Sequence, residues 1–86
     1  MHDEVIKSVT GTSHYYYNDL PHRVDGPAVE WANGDKEWWL NGKRHREDGP
    51  AVECSDGYKT WHYHGKRINC KDNQEFLRIV KLMVFL

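Results

Sequence analysis

Residues 22–44 read HRVDGPAVEWANGDKEWWLNGKR, and residues 45–67 read HREDGPAVECSDGYKTWHYHGKR. The two segments align without a gap at a period of 23, with 14 of the 23 positions identical. The chain therefore carries a tandem duplication, the mark of a repeat architecture. A half repeat at 11–21 precedes them: Gly11, Tyr15, Tyr16, Tyr17 and Asn18 fall in register with Gly34, Trp38, Trp39, Leu40 and Asn41. After Arg67 the pattern stops, because Ile68-Asn69-Cys70 stands where His-Arg would recur and no Asp-Gly-Pro-Ala follows.

Within each unit the turn chemistry sets the strands. Asn33-Gly34 and Asn41-Gly42 in the first copy, with Asp56-Gly57 and His64-Gly65 in the second, read as two-residue turns. Asn-Gly and Asp-Gly tolerate the positive φ angles that tight hairpins demand. Between them lie strand-length runs rich in Val, Trp and Tyr at 28–31, 36–40, 51–54 and 59–63. Asp25-Gly26-Pro27 and Asp48-Gly49-Pro50 supply a third turn, with each Asp expected to form an Asx-type turn. The sequence predicts a mainly β fold, an antiparallel β-hairpin repeat meander.

Hairpin arithmetic then assigns the faces. A two-residue loop at Asn33-Gly34 sets Val29 opposite Trp38, and one at Asn41-Gly42 sets Trp39 opposite Arg44 and Trp38 opposite His45. Alternation puts Val29, Trp38, Leu40 and His45 on one face, with Val52, Trp61, Tyr63 and Ile68 from the second copy and Tyr15, Tyr17 and His22 from the half repeat. This face is the expected core. The other face holds Ala28 and Glu30, and carries Tyr16, Trp39 and His62 at equivalent positions. Arg44 and Arg67 are the cross-strand neighbours of the last two. Glu37 is expected opposite Arg46. Aromatic residues flanked by Arg on a solvent face have the make-up of a binding surface, so Tyr16, Trp39, His62, Arg44 and Arg67 are the candidate partner-binding residues. The competing reading has each Arg covering a ring as a cation–π stack, or the C-terminal segment lying over the rings.

Residues 72–86 change register. Asp72-x-x-Glu75 is a capping box, followed by Phe76, Leu77, Ile79, Val80, Met83 and Val84 at helical spacing. Only Gln74, Arg78 and Lys81 make a polar stripe, which predicts a helix buried over most of its circumference. Its expected work is to cap the open end of the array, as repeat folds require. A homodimer through the same segment is the second expectation, and residues 82–86 fit a strand as well as a helix.

Composition bounds the rest. Twelve Lys+Arg against 13 Asp+Glu give a charge of -1 over 86 residues, so one domain, 1–86, is expected, without electrostatic pull towards nucleic acid or anionic lipid. No apolar stretch approaches the roughly 20 residues of a membrane span. The polar start, Met1-His2-Asp3-Glu4, lacks the pattern of a secretory signal. Two cysteines, Cys54 and Cys70, make no disulfide framework, which fits a reduced cytoplasmic setting. There is no G-x-S-x-G, no P-loop and no H-E-x-x-H, so neither catalytic residues nor an enzyme is expected. Gly42-Lys43-Arg44 and Gly65-Lys66-Arg67 lack the Ser/Thr and upstream glycine of a phosphate loop. His62 and His64, with His14 or Cys70, come nearest to a metal set, but zinc-type spacing is missing, so no metal or cofactor is expected. The alternative to a protein partner is a nucleic acid or signalling nucleotide stacked on the aromatic–Arg face. Lys43, Arg44, Arg46, Lys66, Arg67 and Lys71 would form its basic edge, against the interleaved Glu30, Glu37, Glu47, Asp48 and Glu53.

The His-Arg-x-Asp-Gly-Pro-Ala-Val-Glu block at 22–30 and 45–53, followed by Gly34, Lys36 and Trp38, resembles the MORN family. It is more similar still to a variant of that repeat found in bacteriophage and bacterial proteins. The likeness spans residues 11–67, roughly two thirds of the chain. The 23-residue period, the small number of units and the non-repeat ending depart from it. The resemblance implies a β-hairpin array acting as an interaction scaffold without activity. Its phage context implies a small inhibitor docking on a host defence component, such as a CRISPR effector, in the host cytoplasm.

Overall fold

The computed structural model describes residues 4–84. Among the described residues the chain forms ten short strands and one helix: β1 Glu4–Val9, β2 Thr12–Tyr17, β3 Leu20–Pro21, β4 Val29–Glu30, β5 Lys36–Glu37, β6 Trp39–Leu40, β7 Lys43–Arg44, β8 Val52–Glu53, β9 Lys59–Tyr63, β10 Lys66–Ile68 and α1 Asn73–Val84. Every strand pairing is antiparallel. The main sheet runs β1-β2-β4-β5-β8-β9-β10, with β3 paired to β2, and β6-β7 forms a separate hairpin. Backbone bonds join that hairpin to its neighbours on both sides: Arg23 N to Trp39 O (3.0 Å) and Gly42 N to Pro21 O (2.9 Å), then Arg46 N to His62 O (3.2 Å) and Gly65 N to Arg44 O (2.8 Å). Each bond in the second pair is one of the first moved by the repeat period. The expected β-hairpin meander with a C-terminal capping helix is what the chain builds.

The turn register differs from expectation in one of the two hairpins of each unit. Trp31 N donates to Asp35 O (2.8 Å) and Gly34 N to Trp31 O (2.9 Å), so the loop is three residues, Ala32-Asn33-Gly34. Gly34 takes a φ of 100°, the left-handed position that closes such a loop. Val29 consequently pairs with Glu37, not Trp38. Ala28 N also donates to Glu37 O (2.8 Å), so two residues of one strand oppose one of the next, a β-bulge. A one-residue shift moves side chains to the opposite face. Val29 and Val52 therefore share the face of Glu37, Trp39 and His62 instead of that of Trp38, yet Val29 stays buried, and Ala28, expected on the solvent face, is fully buried. The Asn41-Gly42 hairpin does follow expectation: both residues have positive φ (50° and 80°), and Trp39 pairs with Arg44.

The repeated block has a mechanical explanation. Arg46 lays its guanidinium 3.8 Å from the Trp38 ring centroid. Its Nε donates to Asp48 Oδ1 (3.1 Å), and its Nη1 to Pro50 O (3.1 Å) and Glu53 Oε2 (2.7 Å). Arg23 repeats this on Tyr15 (4.0 Å), with Asp25 (3.2 Å), Pro27 O (3.3 Å) and Glu30 (3.7 Å). The Asp side chains therefore anchor Arg instead of forming Asx turns. Arg46 is likewise not paired with Glu37. The His of each block accepts, at Nδ1, the amide of the positive-φ turn residue in the next hairpin: Asn41 N to His22 (2.9 Å) and His64 N to His45 (2.7 Å).

A third Arg would stand at Asn69, and the helix takes its place. Trp61, Ile68 and Phe76 form the buried cluster, with Tyr63, Cys70, Ile79, Val80 and Met83 packed around it. Trp61 Nε1 donates to Asn73 Oδ1 (2.7 Å). The expected cap forms, with Glu75 N on Asp72 Oδ1 (2.9 Å) and Lys71 N on Glu75 Oε1 (2.9 Å). The helix buries only one side, because Leu77, Leu82 and Val84 are exposed, contrary to the expectation of near-complete burial. Residues 82–84 are helical, while Phe85 and Leu86, where a strand was the other expectation, lie outside the described residues.

Candidate functional site

The two faces of the sheet are treated differently. Tyr15, Trp38 and Trp61 occupy equivalent positions on one face and are covered by Arg23, Arg46 and α1 in turn. The opposite face is defined by the row His14, Val29, Glu37, Val52 and Thr60, which lie side by side across successive strands. Alternation adds Tyr16, Trp39 and His62 to the same face, with Arg44 and Arg67 paired to the last two. All five expected binding residues thus share one side of the sheet.

Glu37 is the centre of this surface. Its Oε2 accepts from Trp31 Nε1 (2.7 Å), and its Oε1 from Trp39 Nε1 (3.0 Å) and Arg44 Nη2 (3.3 Å). Arg44 also leans over the Trp39 ring, 5.1 Å from its centroid. Its Nε is buried without a hydrogen-bond partner among the described residues. Beyond Trp31 the surface continues through His14, whose ring meets Trp31 edge-on at 5.4 Å and lies parallel to Tyr16 at 6.0 Å. The Tyr16 hydroxyl is 3.5 Å from His14 Nδ1. Two indoles are therefore held by one carboxylate, each with its ring orientation fixed by a hydrogen bond.

The five residues are not equally available. Tyr16, Trp39 and Arg44 are half-buried and Arg67 is exposed, but His62 is only 8% exposed and bonds Thr60 Oγ1 at 3.0 Å. Burial, then the nearby Arg44 and Arg67 charges, push the His62 pKa below its ordinary value. His62 underlies the surface more than it forms it. Trp31, at 43% exposed, contributes most of what His62 does not, and was not singled out from the sequence. A usable signal was there. Trp31, Glu37 and Trp39 stand where the second copy has Cys54, Thr60 and His62, so the centre of this face is built from positions at which the two copies differ. The residues that seal the other face, His, Arg, Asp, Gly, Pro and Trp38, are those that recur.

The expected basic edge is broken. Arg46 is folded onto Trp38 on the opposite face and held by Asp48 and Glu53. Among the described residues, no group of three or more His, Cys, Asp or Glu is placed to hold a metal ion. No helix among them is long and apolar enough to cross a membrane. No protein-family model matches this chain, and neither the curated proteins nor the solved structures include a significant match to it.

Proposed function

We propose that this protein is a non-catalytic interaction module that docks a protein partner on the face formed by Tyr16, Trp31, Trp39, Arg44 and Arg67, with His62 beneath it. The observation that carries this reading is the pair of indoles tied to Glu37 at positions where the copies diverge. Large aromatic side chains fixed before binding lose little entropy on contact, and Trp, Tyr and Arg supply most hot spots. The resemblance to phage repeat proteins narrows the proposal to a small inhibitor acting on a host defence component in the host cytoplasm. A nucleic acid or nucleotide is the second reading, favoured by the Arg44–Trp39 stack. The Glu37 carboxylate argues against it, since it already pairs with Arg44, the cation a phosphate would need.

The test is a tagged pull-down from bacterial lysate at low and moderate salt, comparing wild type with Trp31→Ala/Trp39→Ala and analysing both protein and nucleic acid. A defined protein retained in salt and lost in the variant supports the proposal. Nucleic acid that washes off as salt rises, with no protein retained, replaces it with the stacking-platform reading.

A further inference from the structure

The sealed face holds a feature that the binding reading does not use. Between the two Asp-Gly-Pro loops lies a pocket of about 600 Å³, walled by Val24, Asp25, Gly26 and Pro27 on one side and Glu47 and Asp48 on the other. Trp38, Leu40, His45, Arg23 and Arg46 complete its lining. Its volume is in the range of ligand-binding cavities. Such a pocket needs two consecutive loops, so a chain with two of them forms it once.

The charges around it do not balance. Arg23 is held by Asp25 and Glu30, and Arg46 by Asp48 and Glu53, so each guanidinium already faces two carboxylates. Glu47 is a fifth carboxylate, and its neighbour is an imidazole, not a guanidinium. His45 is 3% exposed and accepts the His64 amide at Nδ1 (2.7 Å), which places its ring proton on Nε2. That Nε2 lies 3.6 Å from Glu47 Oε2 and has no hydrogen-bond partner among the described residues. Burial, then the adjacent His64, push the His45 pKa below its ordinary value, against a smaller upward pull from Glu47 itself. The lining itself carries three carboxylates, Asp25, Glu47 and Asp48, against two guanidinium groups, while Leu40, Val24 and Pro27 add apolar surface.

We propose that this pocket binds a basic side chain, a lysine or arginine presented by a protein partner. The aliphatic stem lies on Leu40, Val24 and Pro27, and the cationic head meets Glu47 with Asp25 and Asp48 at the rim. Arg46 already covers Trp38, so the head is recognised by carboxylates and not by the indole.

The experiment is an NMR titration of the full chain, following backbone amides and the Trp indole signals. The probes are acetyl-Gly-Lys-Gly-amide and its arginine counterpart, with norleucine and glutamate peptides as controls. Saturable shifts at residues 23–27 and 45–48 with Lys or Arg, and none with either control, are expected. Glu47→Gln should weaken the lysine peptide about fivefold, the upper range for one exposed ion pair. Glu47 is 76% exposed at its side chain, so this variant keeps the fold, which an unchanged melting temperature verifies. No saturable shift, equal response to norleucine, indifference to Glu47→Gln, or shifts at the Trp31 and Trp39 indoles instead would each overturn the proposal. The last of these would locate binding on the other face and leave the proposed function standing.

Discussion

Arg46 shows how much one side chain can do in a domain with a small core. It covers an indole, pairs with two carboxylates and bonds a backbone carbonyl. Arg46→Ala removes all of these and leaves Glu53 without its closest partner, so a loss of about 2–3 kcal/mol in urea unfolding is expected. Arg46→Lys should recover little, because an ammonium cannot match the planar fork. Trp39→Ala should cost less, about 1 kcal/mol, since the ring is half-buried and its main loss is the bond to Glu37. The two buried imidazoles set the pH response. His45 and His62 both titrate below the ordinary 6.5 in the folded chain, and unfolding returns them to it. The unfolded chain then binds more protons, so stability is complete above pH 6.5 and falls as pH drops below it towards the folded values. Urea midpoints measured from pH 7.5 to pH 5 should show this decline. His45→Asn, which keeps an acceptor for the His64 amide, should make it shallower.

At the level of elements, α1 does for Trp61 what Arg does for Tyr15 and Trp38. Phe76 is its fully buried residue. Phe76→Ala should cost about 3–5 kcal/mol and shift Trp61 fluorescence to the red as water reaches the ring. The existence of strands, helix and cap was legible because Asn-Gly turns, β-branched runs and a capping box are local signals. The Ala32-Asn33-Gly34 loop was not, because Asn-Gly fits both a two-residue and a three-residue hairpin. What distinguishes them here includes contacts from far along the chain: Ala32 N donates to Thr12 Oγ1 (3.2 Å), and Ser55 N to Asp35 Oδ1 (2.7 Å). Each ties a loop to the preceding unit. The candidate face was found from alternation, since the Asn41-Gly42 hairpin and its equivalents kept their register. Trp31 was missed because it lies next to the loop whose length was misjudged, and the burial of His62 depends on neighbours that alternation does not specify.

Over the whole molecule these devices give a slab 38 × 34 × 16 Å, thin along one axis and two-sided in chemistry. One side is closed by Arg and by the helix, and the other displays indoles. Because each unit bonds its neighbours through the same backbone atoms one period on, the array should accept another copy. Inserting a second copy of residues 45–67 directly after Arg67 should give a folded chain whose last Trp still packs on α1. Its urea m-value should rise with the added buried surface, while β-type circular dichroism is retained. A molten or aggregated product would mean that the cap recognises more than the unit before it.

The Arg seals also bear on the order in which the chain can fold as it leaves the ribosome. Tyr15 meets its cover at Arg23 and Trp38 at Arg46, eight residues later in both cases, whereas Trp61 waits fifteen residues for Phe76. Early units can thus shield their own rings during synthesis, when exposed apolar surface invites misassociation. The last unit must wait for α1, so a chain released after Arg67 would leave the Trp61 ring uncovered while Tyr15 and Trp38 keep their Arg covers.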